Sequence, residues 1–274
     1  MSGNCAAPRV AAFGSDAPRD VLVVIPALNE ASRIGTTVRA ARDVADVQRV
    51  FVVDDGSSDD TASLARAAGA DVLTHERPRG KAAALTTGLA ALPAGGQAVL
   101  LLDADLGESA AAAPALLAAV LAGEAEMTIA TLPEQRTSGG TQAGGRGLVV
   151  GLSRAGITRT TGFRAGQPLS GQRCLTRSAV AAALPLARGF GVETAMTIAV
   201  LRAGLRVREV PVPFFHRATG NDLAGRVHRA TQLADVGAVL GRDVVRGPAG
   251  VVIDRSAAAV GVGLRAVARR LPSR

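Results

Sequence analysis

Val50-Phe51-Val52-Val53-Asp54-Asp55-Gly56-Ser57-Ser58-Asp59-Asp60-Thr61 joins an apolar strand, a polar turn and the start of a helix in one short stretch. A brief, unbroken apolar run reads as a strand buried on both faces of a parallel sheet. Val21 to Ile25, stopped by Pro26, repeats the pattern upstream. Asp59 and Asp60 stand where carboxylates cap a helix and oppose its dipole, and Gly69 is placed to end that helix in left-handed backbone. Working outward, a helix is expected from about Ala31 to Arg42, with Ile34, Val38 and Ala41 on one face. Further strands are expected at Asp71 to Thr74, Ala98 to Leu102 and Met127 to Thr131. Helices between them cover Lys81 to Leu92 and the Ala-rich stretch Ala110 to Gly123, broken by Pro114. Strand and helix alternate over the first 130 residues, which predicts an α/β, doubly wound, mostly parallel sheet with right-handed crossovers.

Beyond that the alternation stops. Thr137 to Gly147 reads as a Gly-rich flexible loop holding Arg146. Helices are expected at Leu148 to Thr158, Arg177 to Leu184 and Val192 to Ala203. Another runs to about Leu240, where Leu223, Val227, Ala230, Leu233 and Val236 recur at helical spacing. Arg206 to Phe215 contains Pro211 and Pro213 and is therefore expected at a sheet edge.

The chain has 274 residues and a formal charge of +8, enough length for one large α/β domain or two small ones. No apolar run reaches the ~18 residues that a membrane span needs, and the first twenty residues lack the apolar core of a signal peptide. Cys5 and Cys174 make neither a disulfide framework nor a zinc site. These features predict a cytoplasmic enzyme. From Gly241 onward seven arginines face two aspartates, yet with no Trp, no Tyr and six Phe the chain lacks the stacking side chains of a single-strand binder. A nucleic-acid partner is therefore disfavoured. Solvated helix faces explain most of these arginines, and peripheral contact with an anionic membrane is the sharper alternative. Lys81 is the sole lysine among 31 basic residues, which invites a specific role for it.

In an open parallel sheet, ligands bind beyond the carboxyl ends of the strands. Three such ends here are polar: Asn29-Glu30, Asp54-Asp55-Gly56 and Asp103-Ala104-Asp105, with Lys81 opening the intervening helix. Asp103 and Asp105, at i and i+2 after a buried strand, project to one side of an extended segment. Their repulsion is relieved by a divalent cation. A hard ion, Mg2+ or Mn2+, takes carboxylate oxygen together with substrate phosphate and neutralises a diphosphate leaving group. The bland reading is a pair of turn aspartates. The first strand lacks the Gly-x-Gly-x-x-Gly turn of dinucleotide binders, which disfavours a dehydrogenase. His75 and His228 read as solvated or core-edge residues.

Val24-Ile25-Pro26-Ala27-Leu28-Asn29-Glu30, then Val52 to Thr61, Gly80-Lys81 and Leu102-Asp103-Ala104-Asp105 resemble, in order and spacing, the signature of family-two-type glycosyltransferases of the GT-A fold. The resemblance implies a Rossmann-like sheet with helices on both faces and a smaller acceptor-side region. It also implies that Ala27, Leu28, Glu30 and Asp55 hold the donor's nucleoside, that Lys81 contacts base or phosphate, and that Asp105 and Asp103 bind the metal. Gly144-Gly145-Arg146-Gly147, Pro168 to Arg173, Gly189-Phe190-Gly191-Val192-Glu193 and Phe215-His216-Arg217 look like segments of glucosyl-3-phosphoglycerate synthases. That likeness implies His216 as a further metal ligand, Arg146 as a clamp on the acceptor's phosphate, and Glu193 beside the reacting sugar, orienting the acceptor or acting as base.

The division expected is a disordered tail over 1–19, a nucleotide-sugar-binding half over 20–132, an acceptor-binding half over 133–240 and a basic tail over 241–274. The expected partners are a nucleotide-sugar donor, UDP-linked, and a small-molecule or lipid-phosphate acceptor, with a homodimer as the further expectation. Three rivals stand beside this reading: a lipid-phosphate glycosyltransferase at the membrane surface, a sugar-phosphate nucleotidyltransferase, and a sugar-nucleotide-binding protein without turnover. The nucleotidyltransferase would need a Gly-rich loop where Pro26-Ala27-Leu28-Asn29-Glu30 stands.

Overall fold

The computed structural model describes residues 20–133, 135–137, 140–142, 147–187 and 189–215, with residues 235, 237 and 240 besides. The tail before residue 20, Arg146, His216, His228, most of the helix expected over 223–240 and the basic stretch after it lie outside the described residues.

The chain runs β1 (Val21–Ala27), α1 (Ile34–Arg42), β2 (Val47–Asp54), α2 (Thr61–Ala67), β3 (Asp71–Thr74), α3 (Lys81–Ala90) and β4 (Ala98–Leu101). A 3-10 turn (Gly107–Ala112) then leads into α4 (Pro114–Leu121) and β5 (Met127–Thr131). The second half holds β6 (Gln135–Thr137), β7 (Gly140–Gln142), α5 (Leu148–Thr161), β8 (Arg173–Thr176), α6 (Arg177–Ala183), α7 (Val192–Arg202) and β9 (Val207–Pro211).

Seven strands form one sheet in the order β3-β2-β1-β4-β8-β5-β9. Six are mutually parallel; β8 runs antiparallel to both β4 and β5. The apolar runs are continuous because each strand feeds two cores. Val21, Val23, Ile25, Leu100 and Leu102 pack on one face with Ile34 and Val38 of α1 and Leu116 of α4. Val24, Val99 and Leu101 point to the other face, against Leu85 and Leu89 of α3 and Val192, Met196 and Val200 of α7. At Gly88, a Cβ would stand 2.5 Å from Val24 Cγ1, so α3 lies close on β1.

Several expectations need correction. The span Thr137 to Gly147 is not all loop: β7 lies within it and pairs antiparallel with β6, which ends at Thr137. Their residues are polar or glycine, which hides a strand from any apolar pattern. The strand β8 was not expected; its four residues begin with an arginine. The edge strand is shorter than expected, ending at Pro211, and β9 does border the sheet, pairing with β5 alone. At the head of α2, Asp60 occupies the cap position without a side-chain cap bond. Asp59 does the work one residue earlier, accepting from the Thr61 and Ala31 amides.

Candidate active site

The parallel register brings the ends of β1, β2 and β4 to one edge. Ala27 sits opposite Asp54, and the Asp55 amide donates to the Ala27 carbonyl at 2.8 Å. The two loops beyond are stitched together. The Asn29 amide donates to Ser57 Oγ (2.9 Å), the Ser58 amide to Asn29 Oδ1 (2.9 Å) and the Glu30 amide to Thr61 Oγ1 (2.8 Å). Asn29 takes a left-handed backbone (φ 55°), which asparagine tolerates better than most residues. Gly56 (φ +76°) is required twice over: a Cβ there would lie 2.7 Å from the backbone of Arg77. Much of the signature thus locks loops, while Leu28 stays 43% exposed.

Asp55 is buried, and its carboxylate accepts from the amides of Arg79 (2.9 Å) and Gly80 (2.7 Å). It also meets His75 Nδ1 at 2.7 Å, while His75 Nε2 meets Thr87 Oγ1 at 2.9 Å. His75 is therefore a buried bridge from Asp55 to α3, and not a solvated residue. This grip sets the Arg79-Gly80 turn, and with it the first residue of α3, Lys81.

Lys81 stands between two carboxylates, Nζ lying 2.8 Å from Asp103 Oδ1 and 3.1 Å from Glu193 Oε1. Crowding by protein pushes its pKa down, but the two carboxylates outweigh that and hold the ammonium above its ordinary range. The second oxygen of Asp103 accepts from Gln172 Nε2 at 2.6 Å. Glu193 lies in the first turn of α7, 8% exposed, where the helix dipole favours a negative charge. Gly171 closes the cluster: a Cβ on it would stand 2.5 Å from Lys81 Nζ and 2.9 Å from Asp103 Oδ1. Gly171 and Gln172 belong to the Pro168 to Arg173 segment of the resemblance, but no individual role attaches to them in sequence; spatial proximity to Lys81 and Asp103 supplies it.

Asp105 belongs to the same loop. The strand ends at Leu101, although the Leu102 amide still donates to the Val24 carbonyl, and Asp105 lies in the turn that follows. Alternation persists all the same: Leu102, Ala104 and Leu106 are buried, while Asp103 and Asp105 are half-buried. Thr37 pins this turn from α1, its hydroxyl donating to the Ala104 carbonyl and accepting from the Gly107 amide, both at 2.8 Å. Arg33 Nη1 donates to the Asp105 carbonyl at 3.1 Å. Further along, Ser109 Oγ accepts the amide of Phe215 at 3.0 Å.

The donor set suits a hard divalent cation. Both groups are carboxylates, and one of them already draws positive charge, Asp103 Oδ1 holding the Lys81 ammonium at 2.8 Å. Among the described residues no group of three or more His, Cys, Asp or Glu side chains gathers around one point, and His216 lies outside them. Also among the described residues, no helix is long and apolar enough to cross a membrane.

This sheet, with acidic loops at the ends of three parallel strands and a lysine at the head of α3, is that of a nucleotide-sugar-dependent glycosyltransferase of the GT-A fold. The chain belongs to glycosyl transferase family 2, whose family model matches residues 22–170. Within that family it is similar to glucosyl-3-phosphoglycerate synthases. The one from Mycolicibacterium paratuberculosis is 31% identical over 244 residues, covering 81% of this chain and 70% of the relative. The crystal structure of the Mycobacterium tuberculosis synthase in complex with Mn2+, UDP and glucosyl-3-phosphoglycerate matches with a TM-score of 0.66 at 29% identity, covering 81% of this chain and 80% of that chain. The same synthase in complex with Mn2+, UDP-glucose and phosphoglyceric acid gives 0.65 at 30% identity, with 81% and 80% covered.

Proposed function

We propose that the chain transfers a hexose, glucose in the first instance, from a UDP-linked donor to a small phosphorylated acceptor of the phosphoglycerate class. The carrying observation is Lys81, held between Asp103 and Glu193 at the strand ends. In this reading Ala27, Leu28 and Glu30 form the wall against which the nucleoside lies, with Asp55 setting the turn beside it. Asp103, Asp105 and His216 would hold Mg2+ or Mn2+; the anchoring of Phe215 to Ser109, four residues past Asp105, supports including the histidine. The ion, when bound, supplies positive charge to the diphosphate of the departing UDP. Lys81 adds a second positive charge to that leaving group. Glu193, across Lys81 from Asp103, would meet the acceptor hydroxyl as orienting group or base. Arg146 would clamp the acceptor's phosphate, guanidinium to phosphate oxygens.

Titration of the protein with UDP, GDP and dTDP, each with Mn2+ and again with EDTA, tests the donor half of this proposal. The expected result is binding of UDP that EDTA abolishes. A folded protein that binds none of the three would overturn it. For the acceptor half, Arg146→Ala is expected to raise the KM for 3-phosphoglycerate by about 10-fold or more while leaving the donor's KM within about 2-fold, as loss of a charge-assisted contact to one substrate requires. Equal effects on both would remove Arg146 from the acceptor site.

A further inference from the structure

Arg173, the first residue of β8, is wholly buried, yet among the described residues no carboxylate lies within salt-bridge distance of it. Burial lowers its pKa to about 10, against the opposing pull of Glu193 and Glu209. An interior charge of this kind costs desolvation free energy, and an apolar side chain of similar length would fill the space at less cost. What it does with its fork of donors is therefore informative. Nε donates to the Ser170 carbonyl (2.9 Å) and Nη2 to the Pro168 carbonyl (3.1 Å). Nη1 donates to Thr197 Oγ1 (2.9 Å), and that hydroxyl donates in turn to the Glu193 carbonyl (2.9 Å).

These partners lie on the two walls of the Lys81 cluster. Pro168 and Ser170 lead directly into Gly171, which lets Lys81 approach, and Gln172, which holds Asp103. Glu193 supplies the other carboxylate on Lys81. The outer part of the same loop is held from elsewhere: Glu209 accepts from the amides of Gly166 and Gln167, and Arg154 Nε donates to the Ala165 carbonyl. Between the loop and the first turn of α7, the guanidinium supplies the cross-link.

We propose that Arg173 is a positioning residue for the transfer reaction, fixing the Gly171-Gln172 wall and the Glu193 wall relative to each other so that Lys81 is held between Asp103 and Glu193. The proposal rests on the glycosyltransferase reading for the identity of the reaction. Arg173 touches no substrate; it acts through Gln172 and Glu193. Lysine cannot replace it, because one ammonium cannot reach three acceptors in the directions that a planar fork does.

The test compares the parent with Arg173→Met, Arg173→Lys and Thr197→Val, each checked for folding by thermal midpoint, for Mn2+-dependent UDP binding by titration, and for kcat. Arg173→Met is expected to bind UDP within about 3-fold of the parent while kcat falls about 10²-fold, the scale of a displaced catalytic group. Arg173→Lys should recover less than about 10-fold of that loss, because charge without the fork does not restore the cross-link. In an Arg173→Met background, adding Glu193→Gln should cost less than about 3-fold more, because residues acting as one unit are not additive. Full additivity, or a folded Arg173→Met with kcat within about 3-fold of the parent, overturns the proposal. Should Arg173→Met fail to fold, Thr197→Val decides, since it removes the hydroxyl that joins Arg173 Nη1 to the Glu193 carbonyl and leaves the bonds to Pro168 and Ser170 in place: a folded variant with unchanged kcat overturns the proposal, and a fall of about 10-fold upholds it. The parent's own titration separates the two levels, because a parent that binds no UDP sinks the glycosyltransferase reading itself.

Discussion

An Asp105→Ala variant is expected to turn over its donor about 10³-fold more slowly than the parent and to lose the Mn2+-dependent part of its UDP binding. A factor of that size is about 4 kcal/mol of transition-state stabilisation, within what one carboxylate on a charge-neutralising ion supplies. The side chain can be removed without dismantling the loop. Buried Ala104 and Leu106 anchor it on either side, and Thr37 and Arg33 hold its backbone through carbonyls and amides that the substitution leaves in place. The thermal midpoint should accordingly stay close to the parent's, so that lost turnover reports chemistry. Undiminished turnover in the folded variant would take Asp105 out of the metal site.

Lys81→Met should lower kcat/KM by about 10²- to 10³-fold, the range for deleting one preorganised charge aimed at a leaving group. Its stem length is kept, but Asp103 and Glu193 lose their shared counter-charge, and two carboxylates are left facing one another. Gly171→Ala approaches the same cluster from the opposite wall. Its Cβ would press on Lys81 Nζ, the movable tip of a flexible side chain, so the fold survives while the ammonium is displaced. A smaller loss, about 10-fold, is expected there. If both variants keep full activity, Lys81 serves only to neutralise its neighbours.

The first 130 residues were legible because burial on both faces of a parallel sheet writes itself as short apolar runs, and because Pro26, Gly56 and Gly69 punctuate them. Lys81 could be picked out as the sole lysine, and Asp103 and Asp105 by their place after a buried strand. Long-range pairing was not legible. Arg173-Cys174-Leu175-Thr176 opens with a charge; Pro168 and Ser170, which accept from it, stand just upstream, but Thr197 on α7 lies 24 residues on and becomes a neighbour only in space. Of the two readings of His75, solvated or core-edge, the structure favours the second, and its partners were not legible for the same reason. Its bonds to Asp55 and Thr87 span 20 and 12 residues, and nothing local to it signals burial. Asp55 itself was expected at the nucleoside, and the structure shows its carboxylate meeting the Arg79 and Gly80 amides and the ring of His75.

The strand β8 also has a consequence for synthesis on the ribosome. A nascent chain that has emerged as far as residue 132 already contains β1 to β5, yet β4 and β5 are not neighbours, and the strand that fills the gap arrives about forty residues later. Until then each of those two strands has a bare edge, the kind of surface that pairs with the wrong chain. The high sequence separation of these contacts also slows closure of the sheet. The Lys81 cluster inherits that timing: Gly171 and Gln172 arrive just ahead of β8 and Glu193 after it, while β9, the second partner of β5, follows only at Val207–Pro211.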